Sequence, residues 1–342
     1  MLKGGVFGFG GVGQGMTRTI NESDELKDDF RIVAVCNRGK PKRDLAEEKY
    51  GLKAYEKVDQ LVDHGIDFML NVSTSHAHKE AALKCVEAGI PYLIEKPIAL
   101  TVEDGQEIVD ATLEAGLING VNYSMRYSPI YKKIKQMVDE GVIGDVLALW
   151  AVVGRGYGLY RNGRRHRAIA EPEESGGWIV HHMCHVVDFA CWIGGEVESA
   201  YAAVQSTVPE DLQSEEIIFS TLKFKSGAVG SLRDQVGILR ESGAGVIGTE
   251  GALMEHFTAP SSKNVKALLI HSKESDQQYH APSMIDPTES FVPEDGLHHF
   301  LTCLKEGKQT NVPIEEGLYS LRVCHALRKS AYSGQPVNVD DM

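Results

Sequence analysis

The first third of the chain alternates short apolar runs with stretches whose apolar residues recur at helical spacing. The runs GGVFGF, RIVAVC, DFMLNV, PYLIE and LINGVN predict five strands. Between them, Val12 to Asn21, a segment around Arg43 to Tyr50, His76 to Ala88 and Val102 to Ala115 predict helices, the third closed by Gly89. Strand and helix alternating at this spacing imply βαβ units and a parallel sheet with helices on both faces. After Asn122 the rhythm changes. A helix over Pro129 to Glu140 precedes long alternating runs at VLALWAVV, ESAYAAVQ, SEEIIFSTLKF, AVGSLRDQV, AGVIGT and VKALLIHS. Short turns such as KSG at 225–227 join them, which predicts an antiparallel sheet. Helices near 175–192, 295–306 and 315–332 are expected to cover one face of it. Residues 272–296, polar and proline-bearing, are expected to form an excursion loop. The pattern thus divides the chain into 1–122, a parallel α/β domain, and 123–342, an α+β domain with a mostly antiparallel open sheet.

Composition supports that division and removes several functions. At 342 residues the chain exceeds one typical core, so two domains are expected. Its 35 basic and 48 acidic residues give a net charge of −13, the wrong sign for a nucleic-acid footprint. The opening MLKGGVFGFGGVG is apolar but broken by glycines, and no apolar run approaches the ~20 residues of a membrane helix. The six cysteines are scattered with no C-x-x-C pair, as in reduced thiols of the cytoplasm. The expected partner is a small molecule, with neither nucleic acid nor membrane.

The first chemical signal lies at the N-terminus. Gly8, Gly10 and Gly13 form a G-x-G-x-x-G with Phe9, Gly11 and Val12 between them, after a strand and at the opening of a helix. Glycines there allow a tight turn and close backbone approach, so that a pyrophosphate rests on the helix N-terminus. The N-terminal domain is therefore expected to be a Rossmann domain that binds a dinucleotide. The second strand ends Cys36-Asn37-Arg38, without the carboxylate that accepts from an adenine ribose. Asn37 beside Arg38 offers a fork to a 2′-phosphate, which favours NADP over NAD.

Two further motifs make the pattern specific. Val72-Ser73-Thr74-Ser75-His76-Ala77-His78 follows the third strand, and Glu95-Lys96-Pro97 follows the fourth. With the G-G-x₇-H-x-x-D of Gly176 to Asp188 and S-G-Q-P-V at Ser333 to Val337, they make the chain resemble the Gfo/Idh/MocA oxidoreductases over essentially its whole length. The resemblance implies that Lys96 sits between nicotinamide and substrate and bonds the reacting hydroxyl. It implies that Glu95 and Pro97 shape that corner and that His185 exchanges the substrate proton. Ser73, Thr74, His78 and Met125 fall at cofactor-loop positions, and Arg126 aligns with a common arginine expected to touch substrate. Thr74 stands where relatives often have proline, and Met125 where some have a second arginine.

SGGWIVHHMCHVVD, from Ser175 to Asp188, holds the remaining candidates. Wound as an α-helix at about 100° per residue, it places Trp178, His181, His185 and Asp188 in one stripe and turns His182 toward packing. His181 and His185 at H-x-x-x-H spacing leave a zinc reading open, with Asp188 or His298 as a further ligand. No glutamate stands between them as in H-E-x-x-H, and no metal is expected. The resemblance favours His185 as acid/base, with Asp188 orienting. It also shows a departure, because His181 stands where inositol-dehydrogenase-type relatives keep aspartate. His181 is expected to bind or orient a substrate hydroxyl, and the two rings to titrate as a coupled pair. Gly154 to Arg167, GRGYGLYRNGRRHR, carries five arginines and Tyr157 in an acidic protein. It either reaches the substrate, gripping a carboxylate or phosphate, meets a neighbouring subunit, or is a solvated loop.

The expected function is an NAD(P)-dependent dehydrogenase or reductase acting on a hydroxyl or carbonyl of a sugar, sugar derivative or cyclitol, as a homodimer or homotetramer. Two alternatives stand beside it: glycoside processing through transient ring oxidation, and a nucleotide-sensing regulator without turnover.

Overall fold

The computed structural model describes residues 1–155, 171–207, 214–237, 241–257, 266–272 and 295–342, with short strands at 160–161, 164–165 and 283–285. The chain forms two compact units, Met1–Asn122 with Gly296–Leu321, and Tyr123–Asp295 with Arg322–Met342. The first division falls at Asn122, where the sequence changes rhythm. Residues 296–321, expected in the second domain, group with the first unit.

In the first unit six strands lie side by side. They are β1 (Leu2–Phe7), β2 (Phe30–Cys36), β3 (Lys53–Tyr55), β4 (Phe68–Asn71), β5 (Tyr92–Ile94) and β6 (Asn119–Val121). Their order is β3-β2-β1-β4-β5-β6 and every pair is parallel. Helices α1 (Gly11–Glu22), α2 (Lys40–Tyr50), α3 (Val58–Val62), α4 (His78–Ala88) and α5 (Val102–Ala115) supply the crossovers. The chain runs outward from β1 to β3, then returns to β4 on the other side of β1. That reversal leaves a crevice at the carboxyl ends of β1 and β4, where open α/β sheets bind ligands. β3 and α3, at three and five residues, are too short for periodicity to reveal.

Helix Gly296–Glu306 corrects the expectation that it would cover the second sheet. Its Leu297, Phe300 and Leu301, at i, i+3 and i+4, enter the core of the first unit with Phe30 and Phe68. Phe68 meets Phe30 at 6.0 Å and Phe300 at 6.3 Å between ring centres, both edge to face.

The second unit begins with helix α6 (Pro129–Asp139) and strand β7 (Val146–Arg155). A two-stranded ribbon follows, β8 (Tyr160–Arg161) with β9 (Arg164–Arg165). After helix α7 (Cys184–Gly194) come β10 (Val197–Gln205), β11 (Ile217–Phe224), β12 (Val229–Val236), β13 (Glu241–Gly248), β14 (Gly251–Phe257), β15 (Lys266–Ser272), β16 (Ser283–Ile285) and β17 (Val337–Asn338). The sheet order is β16-β15-β14-β13-β7-β12-β11-β10-β17, antiparallel except where β12 runs parallel to β7. β14 is not expected from the sequence, since its inward alternation includes Glu255, a carboxylate buried against Tyr131 Oη at 2.7 Å. Of 272–296, only Ser272 at the end of β15, β16 and the last two residues are described. One sheet face buries Leu149, Ala151, Leu232 and Val246, with α7 packed on β7 and β12. The other leaves Phe219, Val229 and Ile247 about half exposed. Among the described residues no helix is long and apolar enough to cross a membrane.

Candidate active site

The glycine loop joins β1 to α1. Gly8 has φ +102°, and a Cβ on it would approach Ser73 Cα to 2.5 Å. Glycine there lets the loops after β1 and β4 touch. At Gly10 and Gly11, by contrast, an added Cβ would meet nothing within 4 Å. The first turn of α1 below them carries no acidic residue and no side-chain cap, so its leading N–H groups face open space. A phosphate-sized anion fits that seat. Val12 is half exposed beside it, whereas Phe9 is fully buried against Tyr50. The Phe9 N–H donates to Asn37 Oδ1 at 3.0 Å, so Asn37 braces the loop from the end of β2. Arg43 donates to the carbonyls of Asn37 and Arg38. The Arg38 and Lys42 side chains are exposed and hold no ion pair among the described residues.

At the ends of β4 and β5 the candidate residues form one braced corner. Buried Asn71 donates from Nδ2 to the His78 carbonyl at 2.9 Å. The His78 ring, itself buried, lies 2.8 Å from the Pro97 carbonyl through Nδ1 and 3.3 Å from the Ser73 carbonyl through Nε2. Both partners are acceptors, and the shorter contact marks Nδ1 as the donor. The Lys96–Pro97 peptide is cis. Glu95 accepts from Asn122 Nδ2 at 2.6 Å and from the Lys96 N–H at 3.3 Å. Lys96 therefore stands between two fixed neighbours. Thr74 is exposed at the head of the short turn Ser75–Ala77. His78, expected to face a cofactor, is enclosed instead and ties the Ser73 loop to the Lys96 corner.

Burial pushes His78 down to about 4 from its ordinary 6.5. Above pH 6.5 the ring is neutral folded or unfolded, and its contribution to stability is complete. As pH falls toward 4 the unfolded chain binds a proton that the folded chain does not, so the contribution is lost, at a cost on the order of 3 kcal/mol. The urea midpoint of the wild type is expected to fall more steeply from pH 6.5 to 4.5 than that of His78→Asn. Parallel falls would contradict this.

In the second unit the histidine segment opens on Gly176 and Gly177, both in the left-handed region. A Cβ on Gly177 would come within 2.7 Å of Glu215 Oε2. That buried carboxylate accepts from the Ile179 N–H at 3.2 Å and is held by Tyr332 Oη and Arg328 Nε. Ile179–Met183 is a π-helix, which continues into α7. A π-turn closes on i+5, so the faces differ from those of plain α winding. Trp178 stacks on His182 at 4.7 Å, and His182 meets His185 edge-on at 5.7 Å. Both histidines line a cavity of about 280 Å³ with Met125, Tyr131, Arg155 and Glu241. The volume is just below the ~300–1,000 Å³ usual for small-molecule sites.

His182, which α winding turns toward packing, stands beside His185 in this wall. His181 is half buried with its ring 6.0 Å from Trp178. His182 Nε2 accepts from Arg155 Nε at 2.7 Å and its Nδ1 lies 2.7 Å from Asp234 Oδ2. Arginine only donates, so the ring proton sits on Nδ1 and goes to Asp234. Arg126, expected at the substrate, instead gives Nε and Nη2 to the two oxygens of Asp188, each at 2.8 Å. Both groups are buried, and the Arg126 plane lies over Trp192. Tyr157 lies outside the described residues. Among those described, no group of three or more His, Cys, Asp or Glu is arranged to hold a metal ion.

Comparison with known proteins supplies the family. Residues 2–123 match the Gfo/Idh/MocA model described as an oxidoreductase family with an NAD-binding Rossmann fold, and residues 135–339 match its C-terminal alpha/beta domain. The chain belongs to the Gfo/Idh/MocA oxidoreductase family. It is 26% identical over 291 residues to 1,5-anhydro-D-fructose reductase of Ensifer adhaerens, covering 84% of each chain. To myo-inositol 2-dehydrogenase of Thermotoga maritima it is 25% identical over 357 residues, covering 100% of this chain and 99% of that one. The solved structure of levoglucosan dehydrogenase in complex with NADH and levoglucosan superposes with a TM-score of 0.83 at 18% identity over 99% of both chains.

Against the Gfo/Idh/MocA pattern the residues missed in the sequence are the bracing ones. Asp234 had a signal: in AVGSLRDQV it falls in the inward register with Leu232 and Val236. Asn71 had one too, as an amide closing a wholly buried strand. Glu215 had none, because its partners come from residues 179, 328 and 332.

Proposed function

We propose that this oxidoreductase interconverts a hydroxyl and a carbonyl on a sugar, sugar derivative or cyclitol, with NADP preferred. The carrying observation is that one unit presents an open anion seat over Gly10 and Gly11 and, at neighbouring strand ends, Lys96 braced by Glu95 and Pro97. The names of the relatives supply the substrate class. Bound nicotinamide supplies the hydride acceptor for oxidation and the donor for reduction. Gly8, Gly10, Gly11 and Gly13 would hold the pyrophosphate, with Ser73 and Thr74 alongside, and Met125 would offer an apolar contact. In oxidation the hydroxyl proton passes to the His185 imidazole, while the Lys96 ammonium stabilises charge developing on the oxygen. In reduction the same groups act in reverse. The test is turnover on a panel of polyols and sugars with each cofactor, followed by the absorbance of reduced nicotinamide. Reduction of cofactor by none of them would refute the reading.

The preference for NADP rests on Arg38, just after β2, and Lys42, in the first turn of α2, both exposed, with Asn37 rather than a carboxylate following the strand. Arg38→Ala is expected to raise KM for NADP about ten-fold or more while moving that for NAD far less. Equal changes would return the preference to NAD. The apolar outer sheet face, with Phe219 at 54% exposed, is assigned to a second copy of the chain. Light scattering should then give a dimer or tetramer, and a monomer would refute that assignment.

A further inference from the structure

The cavity beside His185 contains a cation whose direct partner carries no charge. Arg155, at the end of β7, gives its Nε–H to His182, and its Nη1 and Nη2 groups hold no bond to any described residue. The bond runs to Nε2 of an imidazole whose proton is on Nδ1, so His182 is uncharged. The negative charge behind it, on Asp234, is fully buried and lies a ring's width away. The carboxylate in the same wall, Glu241, is taken by an ion pair with Arg233. Arg155 is therefore aligned through one nitrogen, and its outer edge remains available to a ligand.

We infer that the cavity binds the carboxylate of an acidic sugar derivative, a uronate or aldonate, through Arg155. This rests on the dehydrogenase reading and narrows its substrate. The chain Asp234–His182–Arg155 is what such a site requires. It fixes the guanidinium on the helix that carries His185 without neutralising it, so the planar fork is set in advance for bidentate contact. A carboxylate suits one fork better than a phosphate does, because a dianion calls for more cations than this wall supplies. His182 is thus a positioning residue for Arg155, which explains a polar side chain where α winding would put a packing one. It also gives one arginine of the stretch Gly154–Arg167 a defined task.

The test measures binding to the full chain by equilibrium titration in the presence of NADP. The probes are D-glucuronate against D-glucose, D-galacturonate against D-galactose, and D-glucose 6-phosphate. At least one uronate is expected to bind about ten-fold or more tightly than its neutral partner. Arg155→Leu should bring that ratio to about one, and Arg155→Lys should leave it between the two. His182→Phe should lower it without removing the arginine. Neutral sugars binding as tightly as uronates, a ratio unchanged in Arg155→Leu, no uronate binding at all, or tighter binding of the phosphate would each overturn the inference. Turnover is scored separately. A uronate preference that depends on Arg155 but yields no reduced cofactor keeps the inference and removes the dehydrogenase. Turnover of neutral sugars alone does the reverse.

Discussion

Lys96→Met is expected to lower kcat by about a thousand-fold while the protein stays folded and still binds cofactor. Methionine keeps the length and removes the charge, so the loss reports on the ammonium rather than on packing. The brace around Lys96 belongs to its neighbours: Glu95 is held by Asn122, and Pro97 by His78. Neither contact depends on the lysine head group. His185→Ala is expected to cost a similar factor and to remove the ionisation on the acid side of the pH–rate profile for oxidation. His181→Ala should cost less, since His181 stands outside the cavity wall that holds His185. A His181→Ala variant slower than His185→Ala, both folded by circular dichroism, would reverse their roles. A Lys96→Met variant within ten-fold of wild type would remove the lysine from the chemistry.

The second large effect concerns stability. Asp188→Ala is expected to destabilise the protein by roughly 3–5 kcal/mol, because it removes a buried carboxylate that takes two bonds from the buried Arg126 charge. The pair joins the Ser124–Tyr127 turn, which carries Met125, to α7, which carries His185. Replacing both partners, as in Arg126→Met with Asp188→Leu, should recover much of the loss by leaving no charge unpaired. Urea unfolding of the single and double variants measures both. A single variant within about 1 kcal/mol of wild type, or a double variant worse than Asp188→Ala, would show that the pair does not carry this load.

What could be read in the sequence follows from range. Strands and helices of the first unit repeat at short periods, and G-x-G-x-x-G and E-K-P are contiguous, so both were visible as strings. The fate of Gly296–Glu306 was not, because its apolar face is as compatible with one sheet as with the other until Phe300 meets Phe68. The histidines show the sharper limit. An α period turns His182 away from His185 toward packing, and with the π-turn His182 meets it. The turn is held by contacts from distant positions, Glu215 on Ile179 and Asp234 on His182. Local spacing carries no trace of either. Arg126 shows the same limit, since a motif position says which residue is present but not that Asp188 has claimed it.

Hydride transfer itself is tested most directly with myo-inositol and hexose or uronate substrates deuterated at every carbon, incubated with oxidised NADP and NAD. Mass spectrometry of the cofactor then reports the reaction. The account predicts reduced cofactor carrying one deuterium with at least one substrate, and none with Lys96→Met on the same timescale. Cofactor that binds and stays oxidised with every substrate would contradict it and favour a nucleotide-sensing regulator.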